Sequence, residues 1–138
     1  MTTASPRELY GATLLELGKE KQEIVVIGGD LNKSTFIHLF HQEFPNRFFD
    51  VGPAEQNMMS LAAGLASSGK TVFASTFAVF GTGRPYDQIR LGISQPNLNV
   101  KIVATHAGIT TGEDGMSAQA IEDLSLMCAL PSFTVIVP

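Results

Sequence analysis

Asp50-Val51-Gly52-Pro53-Ala54-Glu55-Gln56-Asn57-Met58, followed by Ser60-Leu61-Ala62-Ala63-Gly64-Leu65-Ala66, reads as the end of a strand, a Gly-Pro turn and a helix of small residues. The stretch sets one carboxylate, Glu55, where a buried strand passes into a helix. A carboxylate held there is rigid, half desolvated and at the edge of a sheet, which suits one strong hydrogen bond to a ligand nitrogen. The plainer reading of Glu55 is a first-turn acid favoured by the helix dipole.

Outward from this stretch, strands and helices alternate. Upstream, residues 7–20 have helical spacing, with Leu9, Thr13 and Leu17 on one face and Tyr10 and Leu14 beside it. Glu23-Ile24-Val25-Val26-Ile27 is a continuous apolar run, as in a strand covered on both faces, and Gly28-Gly29-Asp30 ends it. Residues 36–44 read as a helix closed by Pro45, and 47–51 as the strand that enters the Gly-Pro turn. Downstream, 71–74, 100–104 and 133–137 read as strands. A helix opens at Pro85 and runs to about 94, and another spans about 118–129. This order predicts one α/β domain, doubly wound, with a mainly parallel sheet and helices on both faces. A fifth strand directly before Pro138 has no crossover helix after it. The expectation is therefore a domain over 1–138 that lacks its last elements and a following C-terminal domain.

Composition narrows the function. A chain of 138 residues, 44% hydrophobic and 16% charged, can bury a core rather than remain disordered. A net charge of -4 without a basic block argues against nucleic acid as a partner. No apolar run reaches the roughly 20 residues that span a bilayer, which argues against a membrane. The N-terminus lacks a signal-peptide core, so a cytoplasmic setting is expected. The lone Cys128, in an apolar helical run, is expected to be a buried small hydrophobe. His38 and His41 stand at i, i+3, but with no third ligand in view they read as surface helix residues.

In open α/β sheets, ligands bind beyond the carboxyl ends of the strands. The polar residues that follow the apolar runs are Asp30, Glu55, Thr76 and His106. Neither G-x-G-x-x-G after the first strand nor a Walker A lysine is present, which disfavours the usual nucleotide sites.

Four ordered segments resemble the pyrimidine-binding module of transketolases and the related deoxyxylulose-phosphate synthases. They are Gly28-Gly29-Asp30-Leu31, Asp50-Val51-Gly52-Pro53-Ala54-Glu55-Gln56, Thr76-Phe77-Ala78-Val79-Phe80, and Thr105-His106 with Gly112-Glu113-Asp114-Gly115. Pro85-Tyr86-Asp87-Gln88-Ile89-Arg90 adds a helix typical of the broader group. The resemblance implies thiamine diphosphate as cofactor, bound between two modules. This chain resembles the module that takes the aminopyrimidine. The diphosphate and its Mg2+ (or Ca2+) would belong to a diphosphate-binding N-terminal subunit. Sugar phosphates would be the substrates, and a homo- or hetero-oligomer the assembly. The reaction implied is transfer of a two-carbon ketol unit from a ketose phosphate to an aldose phosphate, with this chain inactive alone.

The resemblance also implies residue roles. Glu55 would hold the ring nitrogen of the aminopyrimidine and favour the tautomer that activates the cofactor. Phe77 and Phe80 would enclose the ring, the alternative being ordinary core phenylalanines. Asp30 would lie near the cofactor, the alternative being a turn residue after Gly-Gly. His106 would contact the sugar near the reacting carbons, and Asp114 a sugar hydroxyl. Arg7 and Ser34 would bind the sugar phosphate, an arginine fork suiting that geometry. Two positions depart from the family pattern. Gly83 stands where a third aromatic is common, and Ala118 where a substrate-contacting histidine is usual. A deoxyxylulose-phosphate synthase module, the β subunit of a 2-oxoacid dehydrogenase and a non-catalytic regulatory module remain rivals. His106 with Glu113-Asp114-Gly115 favours the sugar enzymes.

Overall fold

The computed structural model describes residues 5–138. Ten regular elements follow in chain order. They are α1 (Pro6–Glu20), β1 (Ile24–Gly28), α2 (His38–Glu43), β2 (Phe48–Asp50), α3 (Glu55–Ser67), β3 (Thr71–Phe77), α4 (Ala78–Thr82), α5 (Tyr86–Ile89), β4 (Val100–Thr105) and α6 (Asp123–Cys128). The four strands form one parallel sheet in the order β2-β1-β3-β4. The chain moves from β1 outward to β2, then returns across to β3. The reversal leaves a crevice at the carboxyl ends of β1 and β3, where doubly wound sheets bind ligands.

Strand periodicity assigns the two faces. On β1, Val25 and Ile27 join one apolar cluster with Met58, Met59 and Ala62 of α3. Their neighbours Ile24 and Val26 join the other, with Leu14, Ile37 and Phe40. Every β1 side chain is thus covered, as its unbroken apolar run predicts. Full burial of each large side chain contributes about 1.5–3 kcal/mol. α1 approaches its neighbours closely because it presents glycine. A Cβ on Gly11 would lie 2.6 Å from Phe36 Cβ and 2.7 Å from its carbonyl oxygen. Arg47 closes the C-terminal end of α1 by donating to the carbonyls of Gly18 and Lys21.

The structure corrects several expectations. Residues 133–137 pair with no strand among the described residues, and Ile136 and Val137 are 78% and 70% exposed. Only Phe133 and Val135 of that segment pack on the core. Cys128 is exposed rather than buried, because α6 turns Met127 inward instead. The helix expected over 118–129 is shorter, since a 3-10 turn at Met116–Ala118 and an extended connection precede it. The buried stripe of α1 runs through Gly11, Leu14 and Gly18, leaving Leu9 exposed. β3 continues past Ala74 to Phe77, and the helix from Pro85 is α5 followed by a π turn, Arg90–Ser94.

Candidate functional site

Glu55 opens α3 and is 4% exposed, the deepest carboxylate in the fold. Gly52, at φ +67°, bends the chain before it as only glycine does readily. Asp50 fixes that bend. Its Oδ1 accepts the Gly52 N–H at 2.9 Å and the Asp30 N–H at 3.1 Å, and its Oδ2 accepts the Asn32 amide. Burial raises the Asp50 carboxyl, but these three donors, with the His41 charge, outweigh it and hold the group below its ordinary range. Asp50 therefore ties the turn after β1, which carries Asp30, to the turn before Glu55.

The partner of Glu55 is Arg84. A single guanidinium nitrogen, Nη1, donates to both carboxylate oxygens, at 2.9 and 3.1 Å. The guanidinium also lies over the Phe80 ring, 4.1 Å from its centroid. Glu55 and Arg84 open onto a cleft of about 550 Å³, lined also by Pro53, Ala54, Gln56 and Asn57. A smaller hollow of about 240 Å³ at the amino ends of the strands, lined by Lys21, Glu23, Thr71 and Lys101 among others, lies at the wrong edge for this fold class.

From Phe80 the aromatic faces continue. Phe80 and Phe77 are nearly parallel, with centroids 5.9 Å apart. Phe77 is buried, and His106 stacks on it at 3.7 Å. His106 sits at φ +55°, a left-handed conformation that aims its ring back over the sheet edge. Its Nε2 lies 3.3 Å from Arg7 Nη1, and its Nδ1 lies 2.8 Å from Thr105 Oγ1. Arginine only donates, so Nε2 is the acceptor and Nδ1 carries the proton, donated to Thr105. The electrostatics agree. Burial and then the Arg7 charge lower the His106 pKa, partly opposed by Asp114.

The expected residues therefore fall into two groups joined by one run of contacts through Arg84, Phe80, Phe77 and His106, with Arg7 hydrogen-bonded at the edge of the His106 ring. Phe77 stacks with His106 and runs nearly parallel to Phe80, and Phe80 carries the guanidinium of Arg84, which lines the cleft. Arg7 reaches Ser34 through the Ser34 carbonyl, at 2.9 Å, rather than through its hydroxyl. Asp30 is exposed at φ +71°, and Asp114 is exposed in a 3-10 turn, Ile109–Asp114. Thr76 Oγ1 is buried without a hydrogen-bond partner at this same edge. No three His, Cys, Asp or Glu side chains among the described residues gather as metal ligands. Sequence reading missed Arg84 and the linking role of Asp50. The lone arginine in Gly83-Arg84-Pro85, directly after the aromatic pair, was the available signal for the first.

Residues 2–138 match the family model described as transketolase, pyrimidine binding domain. A Methanocaldococcus jannaschii protein, assigned by name only as a transketolase C-terminal section, is 55% identical over 96% of this chain and 42% of its own length. A solved split-gene transketolase, described as an inactive beta4 tetramer, superposes with TM-score 0.77 at 57% identity, over 91% of this chain and 39% of that one. A Pichia stipitis transketolase in complex with sedoheptulose 7-phosphate superposes with TM-score 0.84 at 25% identity, over 95% of this chain and 21% of that one. The chain thus spans less than half the length of the curated relatives it matches. It belongs to the transketolase family, and residues 2–138 are its pyrimidine-binding domain.

Proposed function

We propose that this chain supplies the aminopyrimidine half of a thiamine-diphosphate site. With a diphosphate-binding N-terminal subunit, it transfers a two-carbon ketol unit from a ketose phosphate to an aldose phosphate. The observation that carries the reading is Glu55, 4% exposed at the start of α3 and facing a planar nitrogen-bearing group stacked on Phe80. That group is the chain's own guanidinium, and its seating supports a site suited to a flat, nitrogen-edged ligand.

When bound, the cofactor supplies the electron sink for the two-carbon unit. The residues of this chain do the rest. Glu55 shares a proton with the ring nitrogen, donating when the proton rests on the carboxyl and accepting when it rests on the ring, and so favours the imino tautomer. Phe80, backed by Phe77, covers the ring face and excludes water. His106, held by Arg7 and Thr105 in the free chain, contacts the sugar near the reacting carbons. Arg7, Ser34, Asp30 and Asp114 line the approach, with Arg7 the cation for a sugar phosphate. Mg2+ or Ca2+ and the diphosphate belong to the partner subunit. The assembly is an oligomer in the cytoplasm, and the chain alone is inactive. Support comes from the split-gene relative, whose tetramer is described as inactive.

The test is ketol transfer from a ketose phosphate to an aldose phosphate, using this chain, a diphosphate-binding subunit, thiamine diphosphate and Mg2+. Glu55→Ala should lower the rate by at least about 100-fold in kcat/KM, a loss of transition-state stabilisation of about 2.7 kcal/mol. Equal rates for the two proteins would overturn the role of Glu55.

A further inference from the structure

Arg84 does more than neutralise Glu55. Its guanidinium is planar, carries N–H donors along its edge and presents a π face. One edge nitrogen meets both oxygens of Glu55, and the face lies on Phe80. These are the two contacts that the proposed function assigns to the aminopyrimidine ring. A carboxylate at 4% exposure is costly to leave without a partner, and Arg84 removes that cost while the ring is absent. Yet Glu55 and the Phe80 face cannot serve both groups in the same way.

The local structure lets Arg84 leave. Its side chain is 51% exposed, so the guanidinium borders solvent. Its backbone is anchored separately, with the Arg84 carbonyl accepting a hydrogen bond from Gln56 Nε2 at 3.2 Å. Gly83 precedes it, exposed, at the end of α4, and Pro85 follows it, buried. Rotation about the side-chain bonds can thus swing the guanidinium outward with the main chain in place.

We propose that Arg84 is an internal competitor for the cofactor ring. Its guanidinium closes on Glu55 and Phe80 in the free chain, and the aminopyrimidine binds by displacing it. The inference rests on the reading of Glu55 as the aminopyrimidine partner. Its consequence is a conformational tax. The apparent affinity for the ring is reduced by the fraction of molecules whose Glu55 is open.

The test measures binding rather than turnover. Calorimetric titration of this chain with 4-amino-5-hydroxymethyl-2-methylpyrimidine, which carries the ring without the diphosphate, is compared across wild type, Arg84→Gln, Arg84→Lys and Glu55→Gln. The same series is titrated with thiamine diphosphate and Mg2+ in the presence of the diphosphate-binding subunit. Arg84→Gln should bind the ring about tenfold more tightly if the wild-type pair is closed about nine-tenths of the time. Arg84→Lys keeps the charge but not the plane and should tighten less. It also serves if Arg84→Gln proves unstable. Glu55→Gln should weaken binding. If the Arg84 variants bind no better than wild type while Glu55→Gln still weakens binding, the competitor is overturned and the cofactor reading stands. If no form binds, or Glu55→Gln changes nothing, both fall.

Discussion

Glu55 and His106 stand at the same edge of the sheet, yet opposite means hold them. Glu55 is set by backbone. It opens α3 behind a glycine turn, and Asp50 ties that turn to the end of β1. His106 is set by side chains. Its backbone takes a left-handed conformation, and its ring rests on Phe77 between Thr105 and Arg7, the latter carried by α1. A group fixed by main-chain hydrogen bonds keeps its place when neighbouring helices shift. One fixed by packing does not. The two groups should therefore respond differently to the same disturbance.

The largest disturbance is Gly11→Ala. The new Cβ would press on Phe36 backbone, which cannot rotate aside, so α1 must move away from residues 31–37. Overpacking of this kind costs about 2–3 kcal/mol, to be read by urea unfolding. The motion carries Arg7 with it. NMR shifts of the His106 ring should change well beyond those of Glu55 and its neighbours in α3. Equal changes at both would break the comparison.

Next comes an asymmetry within the Glu55–Arg84 pair. Arg84→Ala leaves a buried carboxylate without its partner and should cost about 1–3 kcal/mol. Glu55→Gln leaves behind only an arginine that is 51% exposed, and should change stability by no more than about 0.5 kcal/mol. Equal losses in unfolding experiments would mean that Glu55 is better solvated than its burial indicates.

The same contrast governs what the chain reveals before it is folded. Glu55 was legible because a strand, a Gly-Pro turn and a helix are local patterns, each with its own period. The unbroken apolar run of β1 likewise announced a strand covered on both faces. Arg84 was not legible, since 29 residues separate it from Glu55 and no periodicity marks a loop arginine. Residues 133–137 carry strand composition, but composition names no partner strand. Three of the five side chains, Thr134, Ile136 and Val137, are left exposed. Cys128 failed for a related reason. A short helix buries a narrow stripe, and one residue of rotation decides whether Met127 or Cys128 fills it.

Asp50→Asn sharpens the account of the backbone-held half. Loss of the charged acceptor shared by Gly52, Asp30 and Asn32 should cost about 1 kcal/mol, a modest figure for charge-assisted hydrogen bonds at an exposed residue. The folded carboxyl titrates below its unfolded value, so its contribution is complete above about pH 4 and is lost as pH falls through the lower folded value. Acid unfolding of the variant should lack that part of the slope. An unchanged acid limb would remove Asp50 as the tie between the two turns.

The smallest effect belongs to His106, and it has the same sign as that of Asp50, because both folded pKa values lie below their ordinary ones. Its folded pKa is lowered from 6.5, so the folded state binds fewer protons than the unfolded chain in the window below that value. The stability linked to the neutral ring is complete above about pH 6.5 and declines as pH falls toward the folded value. Protonation also removes the acceptor at Nε2 and sets an imidazolium against the Arg7 guanidinium 3.3 Å away. His106→Gln should flatten the fall in unfolding midpoint between about pH 7 and pH 5. Arg7→Gln should reduce the same slope in part, because burial rather than Arg7 is the larger cause of the shift. A slope that persists in His106→Gln would detach the titration from the stacked half of the site.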